Sequence, residues 1–267
     1  IYLFAAAGWL VLVLAACGGS SSEDTSDEQE QNNEDSSSSE DFEPYTIEHA
    51  MGETTIEEKP ERVVILTNEG TEALLALGVQ PVGAVKSWLG DPWYDHISDQ
   101  MEGVEVVGDE SNVNIEKILE LQPDLIIGNK MRQEDIYDKL SKIAPTVFAE
   151  TLRGEWQENF MTYSKALNKE EEGQQLIEEY DQRLEDFADQ AGDKLDQEVS
   201  VVRFMPDHVR IMHKDSFSGV ILDQIGFNRP ESQQAEDFME KATKERIPAM
   251  DGDILFHFTY ETGDGAA

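Results

Sequence analysis

The stretch Pro60-Glu61-Arg62-Val63-Val64-Ile65-Leu66, followed by Thr71-Glu72-Ala73-Leu74-Leu75-Ala76-Leu77-Gly78-Val79-Gln80-Pro81-Val82-Gly83-Ala84-Val85, decides the fold. Val63–Leu66 is a continuous apolar run of strand length, the pattern of a strand covered on both faces in a parallel sheet. Residues 71–77 are helical in spacing, and Gly78 supplies the residue that commonly closes a helix. Val82–Val85 is then a second strand. Outward from this unit the grammar repeats. A hairpin is predicted around Met51-Gly52. Asn114 is placed to cap a helix over Ile115–Leu121, which Pro123 ends. Leu125–Gly128 is a buried strand, Ile136–Ile143 a helix and Thr146–Phe148 a strand. Such alternation predicts an α/β lobe with a mainly parallel sheet over residues 44–165.

Residues from Glu155 to about Leu195 differ. They are helical in composition, with Leu176, Ile177, Tyr180, Leu184, Phe187 and Ala188 on one stripe. Residues 166–196 are read as a long rigid helix joining two lobes. The α/β pattern restarts over 197–267 with strands at Val199–Phe204, Val209–Met212 and Ile254–Phe258 and a helix at Gly219–Ile225. This second lobe echoes the first. Glu116 precedes Asp124 and its strand by eight residues, and Glu245 precedes Asp253 and its strand by eight.

The 267 residues carry 57 Asp+Glu against 20 Lys+Arg, a formal net charge of -37. A field of that sign repels phosphate backbones, so nucleic acid is excluded as a partner. Residues 23–43 hold ten of the acids and no base, and the remainder still sets 47 acids against 20 bases. Residues 1–16 form an apolar run of signal-peptide length, too short for a typical membrane span. It ends Leu14-Ala15-Ala16-Cys17, and Cys17 is the single cysteine. One cysteine permits no internal disulfide and no cysteine-based zinc site. Residues 18–43 are Gly, Ser, Glu, Asp, Gln and Asn with almost nothing apolar, the composition of a flexible tether.

Leu14–Cys17 resembles the bacterial lipobox, and the ordered set Pro60–Val64, Leu77–Gly83, Leu121–Ile127 and Ala144–Val147 resembles the substrate-binding lipoproteins of iron-siderophore ABC importers, the FecB/FhuD-like periplasmic-binding family. The resemblance covers residues 45–267. It implies a signal peptide over 1–16 whose charged n-region is missing, lipidation of Cys17, a tether over 17–43, and anchoring on the outer face of the cell membrane. It further implies two α/β lobes of the class III type, with ligand in the cleft between them. Family members continue for some tens of residues past Gly265, so the C-terminal lobe is expected to be incomplete.

A ferric siderophore fills the iron's coordination shell itself, so its receptor needs cations and aromatic walls rather than metal ligands or a cofactor. Bases at strand ends are the candidates: Lys86 with Trp88, Lys130 with Arg132, and Arg203 with Arg210, with Tyr260 as a further wall. Trp93 and Tyr94 are additional candidate walls. A hydroxamate or citrate-hydroxamate ligand is favoured; cobalamin or haem is the alternative within the fold. The resemblance also assigns Glu116 and Glu245 to docking on a two-fold permease dimer, with the receptor itself a monomer. Outside transport the rivals are an anchored enzyme or adhesin and a bare metal-ion binder. The sequence has no GxSxG, P-loop or HExxH motif. His49, His96, His208, His213 and His257 form no HxH or HxxxH pair, so no metal site is assigned.

Overall fold

A computed structural model describes residues 42–260. The expected leader, Cys17 and the tether up to residue 41 lie outside the described residues, as do residues 261–267.

The hairpin β1 (Tyr45–His49) and β2 (Gly52–Ile56) lies where the sequence placed it. The next sheet contains β3 (Val63–Ile65), β4 (Gly83–Ala84), β5 (Glu105–Val106), β8 (Leu125–Asn129) and β9 (Thr146–Ala149). Its order is β5-β4-β3-β8-β9 and every neighbouring pair is parallel. A small ribbon of β6 (Gly108–Asp109) and β7 (Asn112–Val113) follows β5.

Alternation within the strands builds three layers. Val63, Ile65, Leu125 and Ile127 pack against one helical layer, made of α1 (Asn68–Ala76) and, later in the chain, α5 (Trp156–Ala166). Val64, Leu66 and Ile126 pack against the other, which holds α2 (Ile115–Leu121) and α4 (Tyr137–Leu140). Strands clothed on both faces explain the unbroken apolar runs. A four-residue helix, α3 (Lys130–Gln133), follows β8 directly. Asn114 caps α2 as expected, accepting from the Lys117 amide at 3.0 Å. Thr67 caps α1 through the Gly70 amide, so that helix begins three residues before the apolar spacing shows it.

The long helical region is two helices. After α5, the chain breaks at Asn168, whose φ is 55°, and resumes as α6 (Glu170–Ala191). At 1.5 Å per residue its 22 residues span about 33 Å. Gly173 lets the two helices approach, since a Cβ there would lie 2.2 Å from Ser164 Oγ. Only Gly173 is buried on α6, and Phe187 is exposed, so the stripe is a half-covered surface rather than a core face.

The second sheet has order β12-β11-β10-β13, comprising β10 (Val199–Phe204), β11 (Val209–Met212), β12 (Met239–Ala242) and β13 (Ile254–Thr259), with α7 (Phe217–Ile225) between β11 and β12. β10 and β13 are parallel; the β10–β11 and β11–β12 pairs are antiparallel. The echo between the lobes is structural. Asp124, just before β8, accepts from the amides of Glu61 and Arg62, just before β3 (2.8 and 2.9 Å). Asp253, just before β13, accepts from the Glu198 amide, just before β10 (2.9 Å). In each sheet one aspartate ties the entrances of two neighbouring parallel strands, so β3 corresponds to β10 and β8 to β13.

Candidate functional site

The strand order of the first sheet reverses between β3 and β8. In open α/β sheets ligands bind at such a point, outside the carboxyl ends of the strands. The floor there is a buried polar net. Gln133 donates to the carbonyls of Leu66 (3.2 Å) and Glu110 (2.9 Å) and accepts from the Asn129 amide (2.9 Å). Glu110 is 4% exposed and accepts from the backbone and side-chain amides of Asn68 at 2.7 and 3.0 Å. These bonds fix the loops after β3, β5 and β8 relative to one another.

The candidate cations at this edge have different surroundings. Lys130 is paired with Glu150 at 2.8 Å. Arg132 lies 3.7 Å from Glu110 and offsets that buried charge. Lys86 is exposed and makes no ion pair among the described residues. Trp88 is exposed on the loop after β4. That loop is closed by Ser87, whose amide donates to the Pro92 carbonyl (2.9 Å) and whose hydroxyl accepts from the Tyr94 amide (3.0 Å). Gly90 sits at φ +89°, where a Cβ would fall 1.9 Å from the Trp93 carbonyl oxygen. The tight turn thus pushes Trp88 outward. Trp93 is buried in the core below, so its expected role as a wall is corrected to packing.

Glu69, in the first turn of α1, borders a cavity of about 420 Å³ lined also by Arg153, Trp156, Phe160 and Phe217. Its carboxylate accepts from Asn159 Nδ2 at 2.9 Å. Burial nevertheless pushes the Glu69 carboxyl up to about 7, with Glu110 and Glu72 adding repulsion against the stabilising bonds from Asn159 and Tyr163.

In the second sheet Arg203 and Arg210 stand opposite each other on β10 and β11. Arg203 lies over the rings of Phe258 and Tyr260, each centroid 5.3 Å from the guanidinium carbon. Its Nε is buried and has no hydrogen-bond acceptor among the described residues. Burial, then the charge of Arg210, lower the Arg203 pKa below the usual guanidinium value. Arg210 Nε points at His208 Nε2 (3.4 Å), and His208 Nδ1 bonds Asp207 (2.6 Å). Neither arginine lies within ion-pair distance of a carboxylate among the described residues. Lys241 on β12 is opposite Arg210. Sequence reading missed it because Met239-Glu240-Lys241-Ala242 has helix-forming composition and no strand alternation.

The candidates therefore form two clusters, Lys86, Trp88, Lys130 and Arg132 on the first sheet and Arg203, Arg210 and Tyr260 on the second. No hydrogen bond, ion pair or aromatic contact joins them among the described residues. Glu116 and Glu245 are both exposed, Glu116 on α2 and Glu245 in a 3-10 segment over Lys244–Met250. Leu119 on α2 is 61% exposed: the seven-residue helix buries only Ile118.

The chain is 54% identical over 224 residues to the probable siderophore-binding lipoprotein YfiY of Bacillus subtilis (81% of this chain, 69% of the relative). It is 30% identical over 205 residues to the achromobactin-binding periplasmic protein of Dickeya dadantii (74% and 67%). Among solved structures, Staphylococcus aureus SirA complexed with staphyloferrin B superposes with a TM-score of 0.77 at 36% identity, covering 83% of this chain and 78% of that one. The periplasmic binding protein family model matches residues 63–263. With two corresponding α/β sheets, a long connecting helix and this match, the chain belongs to the periplasmic binding protein family.

Proposed function

We propose that this protein captures a ferric siderophore outside the cytoplasmic membrane and delivers it to the permease of an ABC importer. The observation that carries the reading is Arg203: a half-buried guanidinium whose Nε has no acceptor among the described residues, facing a second arginine and flanked by two aromatic rings at the carboxyl end of β10. Two like charges side by side on a sheet are unfavourable unless an anion joins them. Ferric hydroxamate and citrate-hydroxamate complexes present the oxygen-rich, often anionic surface that such a site suits. Lys86 and Trp88 supply a cation and an apolar wall from the first lobe. The names of the relatives support the same ligand class. The role is binding and delivery rather than catalysis, as befits a transport family.

Cys17 carries the lipid in this reading, and the segment up to residue 43 lets the folded body move over the membrane. Glu116 and Glu245 form the docking pair. What supports their equivalence is the matching placement of Asp124 and Asp253 eight residues further on. Tryptophan-fluorescence titration against a panel of ferric siderophores tests the reading; saturable quenching by at least one supports it, and no response from any defeats it.

A further inference from the structure

The register of the second sheet aligns four side chains in one cross-strand row: Phe258 on β13, Arg203 on β10, Arg210 on β11 and Lys241 on β12. Residues directly opposite one another point to the same face. Three successive strands thus present three cations on one face, about 4.8 Å apart from strand to strand and roughly 10 Å from first to last. Among the described residues no carboxylate lies within ion-pair distance of any of the three. Asp207 is hydrogen-bonded to His208 (2.6 Å) and forms no ion pair with Lys241. The nearby Glu240 is taken up by Arg246 in a two-bond pair at 2.9 Å.

We infer that Lys241 is the third member of a cationic rail, and that the rail selects ferric complexes carrying at least two separate anionic oxygen groups over neutral ones. The inference rests on the capture reading and goes further, because a neutral ferric trihydroxamate would leave the repulsion within the row uncompensated. An anionic complex with carboxylates set about 5–10 Å apart spans two or three strands and joins their charges. Arg203 and Arg210 hold the deeper group, where the aromatic rings exclude water. Lys241 is exposed on the outer strand, so it reads the second group through a solvated, salt-sensitive contact.

The test is calorimetric titration of the full chain and its Lys241→Gln and Lys241→Arg variants with ferric aerobactin, an anionic citrate-dihydroxamate complex, and with ferrichrome, a neutral trihydroxamate. The wild type should bind the anionic complex more tightly. Lys241→Gln should weaken that complex about tenfold, flatten its salt dependence and leave ferrichrome unaffected, and Lys241→Arg should restore affinity. A wild type that prefers ferrichrome, or a Lys241→Gln variant that changes neither ligand or both equally, overturns the rail while leaving siderophore capture standing. Failure of the wild type to bind any ferric siderophore removes the capture reading and the rail with it.

Discussion

Arg203 and Arg210 stand directly opposite each other on antiparallel strands, two cations paired across a sheet with no carboxylate of the described residues within ion-pair distance of either. The arrangement costs stability in the empty protein, since like charges in directly opposed positions repel and a half-buried charge lacks its full set of partners. Replacing Arg203 by Met keeps the stem over Phe258 and Tyr260 and removes the charge. The variant should melt at or slightly above the wild-type temperature. Its affinity for a ferric siderophore should fall about 10- to 150-fold, the value of a charge-assisted contact of ~1.5–3 kcal/mol. Differential scanning calorimetry and titration on the same preparation check both; lower stability with unchanged affinity would make Arg203 structural.

Glu69 gives the fold a pH dependence of definite sign. Its carboxyl is raised from 4.5 to about 7 by burial, so the folded state holds a proton that the unfolded chain releases. The contribution is most favourable below about pH 4.5 and is lost as pH rises through 7. Glu69→Gln keeps an acceptor for Asn159 and cannot ionise. It should therefore be more stable than the wild type at pH 8, by up to about 3 kcal/mol, and equal to it near pH 4.5. Urea unfolding at the two pH values measures the difference; a constant difference would remove Glu69 as its source.

Gly90 sets the loop that carries Trp88. Its φ of +89° and the 1.9 Å approach of a Cβ to the Trp93 carbonyl leave no room for alanine. Gly90→Ala should destabilise the first lobe by about 1–3 kcal/mol and weaken ligand quenching of Trp88. An unchanged melting temperature would show that the turn readily takes another shape.

Glu116 and Glu245 are exposed carboxylates in front of corresponding strands. The double variant Glu116→Ala, Glu245→Ala should bind ferric siderophore as the wild type does and lose stimulation of transporter ATPase in proteoliposomes. Normal stimulation, or lost ligand binding, would contradict the docking assignment.

Much of the fold was legible because the first lobe's strands are clothed on both faces. Val63–Leu66 and Leu125–Gly128 then read as apolar runs, and Asn114 and Gly226 mark helix ends by their own chemistry. The break at Asn168 was not legible, since a residue at φ 55° leaves the surrounding helical composition intact. β12 was hidden for a different reason: a strand held by pairing with β11 carries Glu240 and Lys241, and tertiary context outweighs local preference. At the candidate site, strand-end position singled out Arg203 and Arg210. It did not tell Lys86, which has no ion-pair partner among the described residues, from Lys130 and Arg132, which answer Glu150 and Glu110. Those partners come from the loops after β9 and β6, and only the folded chain brings them near.

The central claim is capture of iron in its chelated form, and equilibrium dialysis of the purified protein with radioactive iron tests it most directly. Iron supplied as a ferric hydroxamate or citrate-hydroxamate complex should be retained at a stoichiometry near one per chain, with a Kd below about 1 μM. The Arg203→Met variant should retain far less, and unchelated ferric iron should not be retained stoichiometrically. Equal retention of free and chelated iron, or no retention of any complex, would contradict the claim.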